Sequence, residues 1–168
     1  GGGNTIGEAG FYNGGNLAAT HGLIIVALNY RLGPFGWLRH QALRATGTSD
    51  DDRSGNFGTL DLVRALEWVR ENIAAFGGDP GNVTIFGQSA GGMSVGLQLA
   101  SPLAAGLFKN AMLLSGPSIL LNESLDKAKA DGLKIAGLLG CGDPATAAEC
   151  LRKLDVKKII DDIPTGII

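Results

Sequence analysis

Val83-Thr84-Ile85-Phe86-Gly87-Gln88-Ser89-Ala90-Gly91-Gly92 is the stretch that decides the fold. Its first four residues are a β-branched and aromatic run, which reads as a strand. The small residues from Ser89 to about Ala100, closed by Ser101-Pro102, read as a helix. Between the two, Gly87, Ser89 and Gly91 make a G-x-S-x-G pattern, the sharp strand-to-helix turn that lifts a serine hydroxyl clear of a sheet. Such a turn holds the serine in a strained backbone conformation, and side chains two residues before and after it would collide. Glycines remove the collision, and the next residue, Ala90, presents its N–H at a helix N-terminus where negative charge is stabilised.

The pattern alone is weak. With 27 glycines among 168 residues and eight serines, roughly 0.2 matches arise by accident. A second match, Gly92-Met93-Ser94-Val95-Gly96, follows five residues later. Position relative to the strand separates them, because Ser89 is three residues beyond Phe86 and Ser94 is eight. Five residues at ~100° each also turn Ser94 about 140° away from Ser89 around the helix. Ser94 is therefore expected inside the helix, where a larger residue would not fit.

Working outward, Leu23-Ile24-Ile25-Val26-Ala27-Leu28 has the composition of a strand buried on both faces, which implies a parallel sheet. From Arg31 to Asn56, with Gly33-Pro34, Gly36, Gly47 and an acidic tip at Asp50-Asp51-Asp52, a long irregular connection is expected. The spacing of Leu62, Leu66, Val69 and Ile73 predicts an amphipathic helix over Thr59 to Ala75, with Asp61 and Arg70 complementing its dipole. A strand is expected at Ala111 to Ser115. Two later helices follow, one after a Ser124 cap and one from Ala145 to Leu154. Strand, helix, strand, helix, strand is the α/β pattern of a mostly parallel sheet with helices on both faces.

At 168 residues the chain fits a single domain, 1–168, and 45% hydrophobic against 18% charged residues argue for a folded core. The formal charge of −2 and scattered basic residues leave no footprint for nucleic acid. No apolar run is long enough to cross a bilayer. Glycine is about twice as frequent as usual. It opens the chain as Gly1-Gly2-Gly3, where no targeting signal is legible. Consecutive glycines let backbone N–H groups face a reacting oxygen unobstructed, so Gly2 and Gly3 are candidate oxyanion donors beside Ala90. Nothing in three glycines anchors a terminus, and the expectation is a piece of a longer protein.

In order along the chain, several further segments resemble the type-B carboxylesterase family, the cholinesterase and carboxylesterase branch of the α/β-hydrolases. They are Gly1-Gly2-Gly3, Asn29-Tyr30-Arg31-Leu32-Gly33-Pro34-Phe35-Gly36, Gly55-Asn56-Phe57-Gly58 with Asp61, and Ala65-Leu66-Glu67-Trp68-Val69 with Asn72-Ile73. Phe76-Gly77-Gly78-Asp79-Pro80 and the opening decapeptide complete the set. The match is dense from Gly1 to about Gly116 and thinner afterwards.

The resemblance implies a partial α/β-hydrolase fold and a serine carboxylesterase that forms an acyl-enzyme on Ser89. Gly2, Gly3 and Ala90 would give the oxyanion N–H groups, a small-molecule ester would be the substrate, and no metal or organic cofactor would take part. Ser115 matches a serine behind the triad, and Arg31 with Asp61 look like buried structural partners. Gln88 departs from the family's frequent glutamate, which disfavours cationic choline esters.

The larger departure is the base. In this fold the triad order is Ser, Asp/Glu, His, yet His21 and His40 both precede Ser89 and are expected to be solvated. Glu123, Asp143 and Asp162 follow Ser89, but none earns a catalytic role. The chain alone is expected to be inactive, its partner being the missing remainder of the same enzyme.

In the family a pair matching Cys141 and Cys150 is disulfide-bonded, which would point to a secreted or periplasmic setting; two free thiols are the alternative. The rival function is a non-catalytic adhesion relative on the same fold, disfavoured by the intact Ser89. A dinucleotide-binding domain is weaker still, because no G-x-G-x-x-G links a strand to a helix.

Overall fold

The computed structural model describes residues 1–116 and 123–164. In chain order its elements are helices α1 (Gly15–His21), α2 (Gly33–Trp37), α3 (Gln41–Ala45) and α4 (Phe57–Asn72), strand β1 (Thr84–Gln88), helix α5 (Ala90–Ala100), strand β2 (Asn110–Leu114), and helices α6 (Leu125–Leu138), α7 (Ala147–Lys153) and α8 (Val156–Asp162). Short 3-10 turns occupy Gly2–Asn4, Ala9–Tyr12, Ile73–Phe76 and Pro102–Ala104. The chain divides into two compact units, one of Gly1–Leu32 with Thr59–Leu121 and one of Gly33–Gly58 with Asn122–Ile168.

The first unit is built on a β-α-β crossover. β1 and β2 run parallel, in register from Thr84 opposite Asn110 to Gln88 opposite Leu114. Parallel neighbours need a crossover connection, and α5 supplies it while packing on both strands. Ala90, Gly92, Ser94, Val95 and Gln98 form its buried face. α4 begins two residues before the expected Thr59, buries Val63 and Val69, and passes through a 3-10 turn carrying buried Ile73. Gly77 ends it at φ 83°, its N–H bonded to Ala74 O at 3.0 Å. Arg70 lies in the last turn as expected, but Asp61 sits beyond the first turn and serves Arg31 instead of the dipole.

One expected strand is not formed. Leu23 to Leu28 has strand composition, yet among the described residues only β1 and β2 make a ladder. Leu23, Ile24 and Val26 remain exposed. A strand exists only through a neighbour that accepts its backbone bonds, and composition does not supply one.

The second unit is helical. Its core is Ile135, Ala136, Leu139, Cys141 and Leu151, flanked by Leu38, Leu43, Leu154, Ile159 and Ile163. Ser124 accepts the Lys127 N–H at 3.2 Å and starts α6, as the sequence predicts. α8 was not expected; Asp155 caps it by accepting the Lys157 N–H at 2.8 Å. Residues 31–56, expected to be irregular, contain α2 and α3. Pro34 stands in the first turn of α2, where its missing N–H costs nothing.

His40, expected to be solvated, is buried and caps α3, its Nδ1 accepting the Ala42 N–H at 3.2 Å. It can be buried because Gly132 of α6 carries no side chain. A Cβ there would strike the Arg39 carbonyl and would lie 3.5 Å from His40 N. Cys141 and Cys150 form a disulfide with Cα atoms 5.6 Å apart, joining the end of α6 to α7.

Candidate active site

Ser89 occupies φ 55°, ψ −122°, between the last residue of β1 and the first of α5. A side chain at positive φ is strained and persists only where its surroundings impose it. Here they do so from both sides. Ser89 N donates to Leu114 O at 2.8 Å, extending the sheet ladder by one rung, and Ser89 O accepts from Met93 N at 3.0 Å within the first turn of α5.

Of the two glycines flanking the serine in the pattern, Gly87 is sterically required, whereas a Cβ on Gly91 would meet only an ordinary contact, contrary to the expected collision on that side. A Cβ on Gly87 would collide with the carbonyl group of Gly91 and come within 2.9 Å of its Cα. A Cβ on Gly116 would lie 2.7 Å from Gly92 C and Met93 N, so the end of β2 packs backbone to backbone against the start of α5. The half-buried Ser89 makes no capping bond through its hydroxyl to the helix it precedes.

Ala90 is fully buried as the first residue of α5. In that position its N–H has no intrahelical acceptor and lies at the positive end of the helix dipole. The opening glycines lie close by. A Cβ on Gly1 would be 3.0 Å from Gln88 Oε1 and 3.6 Å from Gln88 O, and one on Gly91 would be 3.5 Å from Gly1 N. Gly2 and Gly3 adopt φ 74° and 60°. The Gly2 carbonyl turns into its own loop, accepting from Thr5 N at 3.1 Å and Thr5 Oγ1 at 3.0 Å. Because a trans peptide points its N–H opposite its carbonyl, the Gly3 N–H faces away from that loop.

The remaining candidates separate from this centre. Ser94 is buried within α5 and belongs to its packing face. Ser115 is exposed at φ 51°, one residue past β2. Gln88 is exposed and puts a neutral amide beside the serine. His21 is exposed at the end of α1, and His40 is engaged with α3 in the second unit. Among the described residues His21 makes no bond to Ser89.

Glu123 pairs with Lys127 at 2.9 Å, Asp143 accepts from Ala145 N and Thr146 Oγ1 at 3.0 Å, and Asp162 pairs with Lys158. All three acids therefore have structural partners in the second unit. Among the described residues no set of three or more His, Cys, Asp or Glu side chains gathers as a metal site, and no helix is long and apolar enough to cross a membrane.

Arg31 and Asp61 do pair, through Nε to Oδ2 at 2.9 Å and Nη2 to Oδ1 at 2.7 Å, with Arg31 N also donating to Oδ2 at 2.9 Å. The pair is half open to solvent rather than buried, at 51% exposure for Arg31 and 26% for Asp61. These bonds hold the Asp61 carboxyl below its ordinary range, against the opposing effect of partial burial. An open cleft of about 580 Å³ lies over this pair, lined by Asn29, Tyr30, Arg64 and Trp68 as well, and contains none of the elbow residues.

A model described as the carboxylesterase family matches residues 1–167. The chain is 44% identical over 163 residues to the liver carboxylesterase of Sus scrofa, covering 96% of this chain and 27% of that protein. It is 47% identical over 133 residues to the para-nitrobenzyl esterase of Bacillus subtilis (strain 168), covering 79% of this chain and 26% of that protein. Among solved structures, a Geobacillus stearothermophilus carboxylesterase superposes with a TM-score of 0.83 at 40% identity, covering 95% of this chain and 33% of that one. The chain thus spans about a quarter of the length of the curated relatives it matches.

Proposed function

From the premise that this chain belongs to the carboxylesterase family, we propose that it carries the nucleophile and oxyanion donors of a serine carboxylesterase. In this reading residues 1–168 form one partial α/β-hydrolase domain within a longer polypeptide that supplies the triad acid and histidine. The observation that supports it best is the conjunction at Ser89: a hydroxyl on a strained elbow, a helix N-terminus directly after it, and a glycine run against the same turn.

The reaction runs in two displacements. Ser89 Oγ attacks the ester carbonyl carbon and passes its proton to the histidine base; the carbonyl oxygen becomes an oxyanion received by the N–H groups of Gly2, Gly3 and Ala90. Collapse breaks the bond to the alcohol oxygen, which takes the proton and leaves, and the acyl group stays on Ser89. Water, deprotonated by the same base, then attacks the acyl carbon; collapse breaks the bond to Ser89 Oγ, which takes the proton back from the histidine, and the carboxylic acid is released. Gln88 brings no negative charge to the site, so a preference for cationic choline esters is not expected.

Without its base the chain alone retains at most a residual rate. The Cys141–Cys150 disulfide favours an oxidising compartment, secreted or periplasmic. The test compares p-nitrophenyl acetate hydrolysis by this chain, by the full-length protein that carries it, and by that protein with Ser89→Ala. The reading expects turnover only in the second. Robust turnover by the chain alone, or by the Ser89→Ala protein, contradicts it.

A further inference from the structure

Among the described residues, the segment that brings the glycines to the elbow has no hydrophobic anchor. Neither of its 3-10 turns, Gly2–Asn4 and Ala9–Tyr12, buries a residue, and Ile6, Phe11 and Tyr12 are exposed. Within residues 1–12 only Gly1, Asn4 and Ala9 are better than exposed. Gly1 abuts Gln88. The other two are the points at which neighbouring residues of one distant tripeptide reach the segment. Tyr30 donates its hydroxyl to Asn4 Oδ1 at 3.3 Å, and Asn29 Oδ1 accepts the Ala9 N–H at 2.7 Å. The third residue, Arg31, is fastened to α4 through its three bonds to Asp61.

We infer that Asn29-Tyr30-Arg31 is a polar bracket whose task is to position the oxyanion-forming glycines against Ser89, with Asn29 and Tyr30 gripping the segment and Arg31 tying the grip to α4. The inference rests on the reading of Gly2 and Gly3 as oxyanion donors. Its physical basis is that donors must be held at the position the oxyanion will occupy, and small misplacements are costly in rate. Asn4 stands at φ 61°, a conformation asparagine tolerates and most residues resist, so its amide is presented at a fixed place. A tyrosine hydroxyl is a donor throughout the neutral range, and burial, with the Tyr12 phenol nearby, only raises the Tyr30 pKa further. Asn29, Tyr30 and Arg31 are positioning residues: each acts on the reacting atoms only through the glycine segment.

The test uses the full-length protein with Tyr30→Phe, Asn29→Leu, Asn29→Asp and Ser89→Ala, together with amide exchange at Ala9 measured on this chain. Tyr30→Phe keeps the ring and removes one hydroxyl. Both Tyr30→Phe and Asn29→Leu are expected to lower kcat by about 10- to 100-fold at unchanged KM, and Asn29→Leu to speed exchange of the Ala9 amide. Asn29→Asp keeps the acceptor and restores both readouts. Unchanged kcat with a lowered Tm would make the tripeptide merely structural and overturn the inference, as would a rise in KM at full kcat. Unaltered Ala9 exchange in Asn29→Leu overturns it whatever the kinetics. Turnover surviving in Ser89→Ala would instead refute the nucleophile assignment, a separate failure.

Discussion

Replacing Gly87 with alanine adds one methyl group at the most constrained point of the elbow. The new Cβ would collide with the Gly91 carbonyl and stand within 2.9 Å of Gly91 Cα. These are backbone atoms, unable to swing aside as a flexible side chain would, so the start of α5 must move away from β1. Overpacking of this kind costs about 1–3 kcal/mol, and a rigid backbone obstacle places Gly87→Ala near the upper end. A loss of about 2–3 kcal/mol is a large share of an ordinary domain's stability. Gly137→Ala is the matched control. Gly137 is an exposed helical glycine in α6, and an added methyl there would meet no heavy atom within 4 Å, so the same chemical change gains about 0.5–1 kcal/mol from helix propensity. Urea unfolding of the chain followed by far-ultraviolet circular dichroism measures both. Equal and small effects at the two sites would refute the close approach of β1 to α5 on which the elbow depends.

Three other expectations follow from the geometry. Asp61 titrates below its ordinary range in the folded chain because of its bonds to Arg31. The resulting stabilisation is therefore full above the unfolded carboxylate range near pH 4 and is lost as pH falls through the lower folded value. Since Arg31 is half exposed, Asp61→Asn should cost only about 1 kcal/mol at pH 7 and progressively less in acid; a penalty independent of pH would contradict the ion pair. Burial lowers the His40 pKa, so the folded state disfavours the protonated ring and stability falls as pH drops through the unfolded value near 6.5. His40→Asn, which keeps a cap acceptor, should flatten that dependence in pH-resolved melting, and an unchanged profile would count against the buried neutral ring. Reducing the Cys141–Cys150 bridge, which closes a loop of eight intervening residues, should destabilise the second unit by about 2–3 kcal/mol; hydrogen exchange in α6 and α7 should rise while β1 and α5 stay protected.

Much of the site was legible because its rules are local. Gly87 meets a steric demand expressed within five residues, while the glycine at Gly91 answers none, and α5 and the Ser124 cap are decided by near neighbours. What escaped the sequence depends on distant partners. Leu23 to Leu28 looked like a strand, but pairing is a property of two segments and composition describes one. Placed in the long connection, His40 reads as solvated, and its burial follows from a glycine in α6 more than ninety residues away along the chain. α8 is short, and its signal was confined to Asp155 and the Lys157–Asp161 and Lys158–Asp162 pairs. The glycine run announced backbone freedom without saying what it approaches. Its contact with Gln88, and the bonds of Asn29 and Tyr30 to Ala9 and Asn4 in the segment that follows it, emerge only in three dimensions.

The most direct measurement is covalent labelling of the full-length protein with a fluorophosphonate, followed by peptide mass analysis. A single adduct on the peptide's Ser89, abolished by Ser89→Ala and untouched by Ser94→Ala, is the predicted result. An adduct on Ser94 or Ser115, or none at all under conditions that label a serine esterase, would contradict the account.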